Sequence, residues 1–147
     1  MYPKVSLKLL TIFLLFGCES IHKETVDFIN WSEYLGDKSR SHYSSLNQIN
    51  ISNVKNIKKA WSYSSGDVGK NNRTQIQCSP IVIDTIMYGT NPQLKLFAIN
   101  AKTGKELWKF NPDDKVSPGW GVNRGVIYWD DNENGGILYT SGKYIYS

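Results

Sequence analysis

Few side chains in this chain of 147 residues stand where they could do chemistry, and Arg124 in Val122-Asn123-Arg124-Gly125 heads them. Its guanidinium fork suits a planar, polyanionic ligand, because paired N–H donors meet two oxygens at once. An Arg in a Gly-flanked loop fits a carboxylate clamp and a plain surface residue equally, and both readings stand at this point. Other constellations fail on spacing. Asp130-Asp131-Asn132-Glu133-Asn134-Gly135 offers Asp-x-Asn-x-Asn-Gly, the opening of a helix–loop–helix calcium loop. Its twelfth position is Ser141 rather than Glu, and its flanks read as strands, so it is read as a strand-joining turn. The run from Gly119 to Gly125 places Arg124 where a dinucleotide loop needs its third glycine. His22 and His42 are each alone, so a zinc site has nothing to build on. No nucleophile stands with a base and an orienting partner at an arguable spacing.

Strands and turns must position whatever Arg124 does. Residues 96–110 open with Leu96, Phe97, Ala98 and Ile99, break at Asn100-Ala101-Lys102-Thr103-Gly104, and resume at Leu107-Trp108-Lys109-Phe110. Two short apolar runs around a Gly-containing loop read as a β-hairpin with Gly104 at the positive-φ position. Neither arm alternates cleanly, so both faces are expected to be covered, as in stacked sheets.

Parts of the pattern recur. Lys58-Lys59-Ala60-Trp61-Ser62-Tyr63 matches Lys105-Glu106-Leu107-Trp108-Lys109-Phe110, 47 residues on. Ile86-Met87-Tyr88-Gly89-Thr90 matches Ile137-Leu138-Tyr139-Thr140-Ser141, 51 residues on. A period of about 50 residues with about four short strands per unit is the signature of a β-propeller blade. The chain is therefore read as all-β, the N-terminal fragment of a propeller. One complete blade is expected over residues 75–110, with strands near 79–83, 86–89, 95–100 and 106–110. Pro80 then falls at a strand start, where a missing N–H costs least. A partial blade follows over residues 124–147, with strands near 125–129, 137–140 and from 144 on. Upstream, Ser52 is expected to cap one or two helical turns through Ile57.

Composition agrees with a turn-rich β protein: 40% hydrophobic, 13% aromatic, 12 glycines and 9 tyrosines. The formal charge is +4, from 17 basic and 13 acidic residues, and two of the basic ones, Lys4 and Lys8, lie in a leader. With no basic run, nucleic-acid binding has no footprint. Residues 1–17 combine a basic start, a short apolar core and Gly17, which reads as a secretory signal peptide. Its apolar run is far too short to span a bilayer. Leu15-Phe16-Gly17-Cys18 resembles a bacterial lipobox, in which Cys18 becomes the lipidated N-terminus; the other reading is a plain signal whose cysteine is incidental. Residues 18–30 then form a polar tether, and the anchor is expected on the periplasmic side, leaning to the outer membrane. Apart from Cys18, only Cys78 remains, so no internal disulfide is possible. Cys78 is read as a small buried hydrophobe rather than a reactive thiol.

Ala98-x-Asn100-x-x-Thr103-Gly104-Lys105-x-x-Trp108 resembles the tryptophan-docking motif of the quinoprotein dehydrogenase propellers. In that family the Trp of one blade packs against the next blade, and the Ala and Gly make the turn that receives it. Residues 31–63 are similar to the N-terminal opening of the same proteins, through Gly36-Asp37, Tyr43-Ser44, Gln48-Ile49-Asn50, Asn53-Val54 and Ala60-Trp61. The resemblance implies an eight-bladed ring, of which these residues would be about the first quarter. It implies an opening strand near 58–63 that completes the last blade, and a chain that is a fragment or a truncated gene product.

The resemblance also assigns roles. Asn123-Arg124-Gly125 ahead of Tyr128 and Trp129 resembles the segment whose Arg contacts pyrroloquinoline quinone (PQQ). Gln77, three residues before Pro80, matches a cofactor-contacting position that is often Glu in relatives. The alcohol and methanol branches carry two adjacent cysteines ahead of the Arg segment, where this chain has Ser117-Pro118-Gly119-Trp120. That points to the membrane-associated glucose/quinate/shikimate-like branch. The implied parent oxidises a sugar, polyol or cyclic alcohol by hydride transfer to PQQ, assisted by calcium. It passes electrons to a quinone or cytochrome. The catalytic Asp and the calcium ligands are expected beyond this chain. The rival is a non-catalytic propeller lipoprotein serving as a scaffold in outer-membrane protein assembly. A scaffold has no reason to keep the opening segment or Asn123-Arg124-Gly125, so the enzyme reading is preferred.

Overall fold

In the computed structural model, residues 30–68, 74–112, 122–131 and 133–147 are described. The signal peptide, Cys18, most of the tether and the Ser117–Trp120 stretch lie outside them.

Seven strands form two antiparallel sheets. The first runs β1 (Ile81–Ile83), β2 (Ile86–Thr90), β3 (Leu96–Asn100) and β4 (Glu106–Phe110), each strand pairing with the next. The second is β5 (Ile127–Asp130), β6 (Gly135–Ser141) and β7 (Tyr144–Tyr146), again in chain order. Each strand expected within the two blades is present within about two residues. The only helical element among the described residues is a single 3-10 turn, Val54–Asn56. No helix there is long and apolar enough to cross a membrane.

The register explains why the strands of the first sheet do not alternate. Ile81, Tyr88, Ala98 and Trp108 pair across its four strands and share one face, which turns toward the second sheet. Ile81 and Leu96 from the first sheet close with Val126, Ile137 and Tyr139 into one buried core. Phe97, on the opposite face, packs tilted against Tyr63 of the preceding segment, ring centroids 5.1 Å apart. Both faces of β3 are covered, so its apolar residues fall at consecutive positions; β4, which was expected to be covered as well, is exposed at every residue.

A bulge at Leu107 re-aims the last strand. Ala98 faces Trp108 and Ile99 faces Glu106, leaving Leu107 as the extra residue. Glu106 and Lys109 thereby come to one face and ion-pair at 3.2 Å. Tyr63 donates its hydroxyl to Glu106, and the Lys109 ammonium also donates to the Ser65 carbonyl at 3.1 Å. Asp67 is held in turn by the Asn91 amide at 2.6 Å and by Lys95 at 3.0 Å.

One local expectation is corrected, and one meets no partner. Residues 58–63 pair with no described strand; they were expected to complete a last blade, and no strand of such a blade is among the described residues. Side chains hold the segment instead. The 3-10 turn is capped at Asn53 rather than Ser52, and without a side-chain cap bond. Ser52 is engaged backward, its N–H and hydroxyl both donating to the Asn50 side chain. Between β5 and β6, as expected of a strand-joining turn, the Asp131 carboxylate accepts from the N–H groups of Asn134 and Glu133. Those bonds hold it below the usual carboxylate range.

Candidate functional site

The two innermost strands, β1 and β5, approach each other in parallel just before they begin. Ser79 bridges Gly125, and the Ser79 N–H donates to the Arg124 carbonyl at 2.8 Å. This lays Gln77-Cys78-Ser79 beside Asn123-Arg124-Gly125. Gln77 and Arg124, 47 positions apart in sequence, thus occupy neighbouring segments at one end of both sheets. Both are exposed, and among the described residues no group pairs with the Arg124 guanidinium. Cys78, between them and the sheet, is a free thiol half-buried against the core.

The backbone of this segment is held from three sides. Asn123 is buried, at 7% exposure, and its amide donates to the Thr140 carbonyl on β6 at 3.0 Å. Its side-chain oxygen accepts from the Gly125 N–H at 2.8 Å, closing an Asx turn around Arg124. Gly125 lies under Tyr34: a Cβ there would come within 2.5 Å of the ring, so only glycine permits the approach.

The 31–41 segment reaches both strands. Trp31 accepts from the Val82 N–H at 2.8 Å while Tyr34 covers Gly125. Asp37, itself buried, is kept below the usual carboxylate range first by the Ser41 hydroxyl that donates to it. The Arg40 guanidinium sits 5.9 Å over Tyr34.

The residues of the docking motif fall at the other end of the hairpin. Ala98 is fully buried opposite Trp108, and Gly104 has φ +72. The indole lying on Gly104 is that of Trp61, close enough that a Cβ on Gly104 would meet it at 2.6 Å. Its ring N–H donates to the Ala101 carbonyl at 3.1 Å. Trp108 was expected to pack on the following blade; it remains 43% exposed, 6.0 Å from the Tyr88 ring, because no described turn receives it. It lines an open cleft of about 610 Å³ between the sheets, together with Phe110, Tyr128 and Tyr139.

Chemically, the Gln77–Arg124 mouth offers a cation and a neutral amide on a fixed backbone. No nucleophile–base pair stands there among the described residues. Among the described residues no cluster of three His, Cys, Asp or Glu could hold a metal. Sequence reading missed Tyr34, the tie made by Asn123, and Trp61 as the docked indole. For Trp61 the signal was present, since its surroundings repeat those of Trp108.

A four-stranded and a three-stranded antiparallel sheet, linked in parallel at the Ser79–Gly125 bridge, are arranged as successive blades of a β-propeller. Residues 31–146 match the glucose/ethanol/alcohol dehydrogenase β-propeller domain, and the chain belongs to this PQQ-dependent family. It is 34% identical over 107 residues to a quinate/shikimate dehydrogenase (quinone) of Acinetobacter baylyi, covering 71% of this chain and 13% of that protein. It is 42% identical over 107 residues to the dehydrogenase subunit of an alcohol dehydrogenase (quinone) of Komagataeibacter europaeus, covering 69% and 14%. The crystal structure of a quinohemoprotein alcohol dehydrogenase from Comamonas testosteroni superposes with a TM-score of 0.66 at 29% identity, over 79% of this chain and 17% of that one. The chain thus spans about a seventh of the curated relatives' length.

Proposed function

We propose that this chain supplies the first part of a PQQ-dependent dehydrogenase that oxidises a sugar, polyol or cyclic alcohol, with Arg124 and Gln77 contacting the cofactor. The observation that carries the reading is the Ser79–Gly125 bridge. It sets a guanidinium with no partner among the described residues and a side-chain amide together where the innermost strands of two blades begin. PQQ presents three carboxylates and an ortho-quinone, and this donor set fits it. Arg124 binds carboxylate or quinone oxygens through charge-assisted hydrogen bonds. Gln77 adds a neutral donor and acceptor, orienting the ring without adding charge. Held by Arg124 and Gln77, PQQ would supply the hydride acceptor for the alcohol carbon, and a divalent cation would supply Lewis-acid assistance. Calcium is the proposed cation. Its ligands and the general base are assigned to residues outside this chain.

The test is cofactor titration of the apo form of the intact enzyme. Losing one partner of a buried charge-assisted pair costs about 2–5 kcal/mol, or roughly 30-fold or more in affinity. Arg124→Ala should therefore require that much more PQQ, and Arg124→Lys should recover only part, since a point charge cannot reproduce the fork. Equal reconstitution of all three would make Arg124 a surface loop residue and return weight to the scaffold reading.

Three further assignments belong to this proposal. A branch lacking adjacent cysteines ahead of Arg124 favours glucose, quinate or shikimate-like substrates over simple alcohols. The electron acceptor is a membrane quinone or a cytochrome. Lipidation at Cys18 anchors the protein on the periplasmic face, with an outer-membrane lean. For the last, mass spectrometry of the membrane fraction should find a diacylglyceryl-modified Cys18, and Cys18→Ala should release the protein. A mature N-terminus elsewhere on soluble protein would leave an ordinary secretory signal.

A further inference from the structure

We propose that Asn123 is the positioning residue of this site: it fixes the backbone from which Arg124 reaches the cofactor, and it touches no ligand itself. The inference rests on the reading of Arg124 as a cofactor contact. Both ends of the Asn123 amide are committed inside the protein. Its oxygen accepts from the Gly125 N–H at 2.8 Å; its nitrogen donates to Thr140 at 3.0 Å (carbonyl) and 3.3 Å (hydroxyl). With 7% exposure, nothing of the group is left to face a ligand.

The geometry gives that commitment a purpose. The Asx turn closes around Arg124, so the peptides on either side of it are pinned to β6, and the Arg124 carbonyl points at Ser79 of the first sheet. Tyr34 presses on Gly125 from the other side. What remains free at Arg124 is its side chain alone. A guanidinium on a long stem loses rotamer freedom when it binds. A fixed backbone confines where the fork can go and so reduces that loss. Asparagine carries its donor and its acceptor on separate atoms of a short stem, so both bonds can be made at once. Aspartate would turn a carboxylate on the Thr140 carbonyl, and alanine would leave the Gly125 N–H and that carbonyl without partners.

The experiment is a double-mutant cycle on the intact apo-protein, with PQQ binding read by absorbance and by quenching of protein fluorescence. The cofactor-free melting temperature is measured alongside. Asn123→Ala should weaken PQQ binding about tenfold, the equivalent of roughly one well-made hydrogen bond. In an Arg124→Ala background the same change should weaken binding no further, because there is no fork left to position. Asn123→Ser should recover part of the loss, since its hydroxyl can still accept from the N–H two residues on. Where Asn123→Ala fails to fold, the cycle is run with Asn123→Ser and the same comparison decides. Additive losses, or a lowered melting temperature with unchanged PQQ affinity, overturn this inference and leave Arg124 as a contact. Wild-type affinity in Arg124→Ala overturns the cofactor reading itself, and the positioning role with it.

Discussion

Trp61 and Trp108 stand in nearly the same six-residue pattern, each behind a lysine and ahead of an aromatic, yet they live differently. Trp61 lies flat on the Gly104 turn with its ring N–H satisfied by the Ala101 carbonyl. Trp108 stands on β4, 43% exposed, and lines the cleft between the sheets. The backbone also differs: β4 is paired along its length with β3, while residues 58–63 pair with no described strand. A docking indole is therefore not made by its own strand. It is made by a turn from another part of the chain, which here offers a positive-φ glycine and a free carbonyl. Trp61 has such a turn and Trp108 has none among the described residues.

The largest expected effect is the loss of the docked indole. Removing a well-buried Trp costs about 3–5 kcal/mol, and Trp61→Ala in this chain should fall near the lower end. Trp108→Ala should cost only about 1 kcal/mol, as for an ordinary substitution. Thermal melting of the two variants compares them directly, and equal shifts would break the contrast. The contrast sharpens in a longer protein that supplies a second receiving turn, where Trp108→Ala should rise to the same 3–5 kcal/mol.

Next comes the receiving turn. Gly104→Ala places a Cβ at φ +72 and 2.6 Å from the Trp61 ring. The left-handed conformation alone costs about 1–2 kcal/mol, and the indole must also move. Trp61 fluorescence should shift toward that of an exposed indole in this variant. An unchanged spectrum and melting temperature would show that the turn does not receive Trp61.

These contacts mark what could be read in the sequence. The strands of both sheets were legible, because turn residues such as Thr103-Gly104 bound short apolar runs and the runs recur. The Leu107 bulge was not, since it depends on which residue of β3 each residue of β4 faces. Trp61 was overlooked as the docked indole for a physical reason: the turn that receives it lies 40 residues on, and its own segment does not display that partner. At the site, Arg124 and Gln77 were legible only through family resemblance. Their juxtaposition, the Tyr34 cover and the Asn123–Thr140 tie join residues 17 to 91 positions apart. Such pairings come from the stacking of two sheets and leave no local signature.

The smallest expected effect lies beside Trp61, where Tyr63 joins Glu106 and Lys109. Tyr63→Phe should cost about 1 kcal/mol, the net worth of one hydrogen bond. The pH dependence has two sides. Bonds from Tyr63 and then Lys109 hold Glu106 below the usual carboxylate range, so its contribution is present at neutral pH and is lost as pH falls through that lowered value. Burial, then Glu106, raises the Tyr63 hydroxyl. Its contribution is therefore complete below about pH 10, the usual tyrosine value, and fades only as pH rises through the higher folded one. In Tyr63→Phe the high-pH loss should shrink. A melting profile identical to wild type at every pH would leave this contact without energetic weight.

The central claim is that the meeting of β1 and β5 holds PQQ. The most direct measurement is a structure of the intact protein with PQQ bound. It should show the Arg124 guanidinium about 2.7–2.9 Å from cofactor oxygens, Gln77 on the same molecule, and Asn123 still bonded to Thr140. PQQ seated elsewhere, with Arg124 turned to solvent, would contradict it.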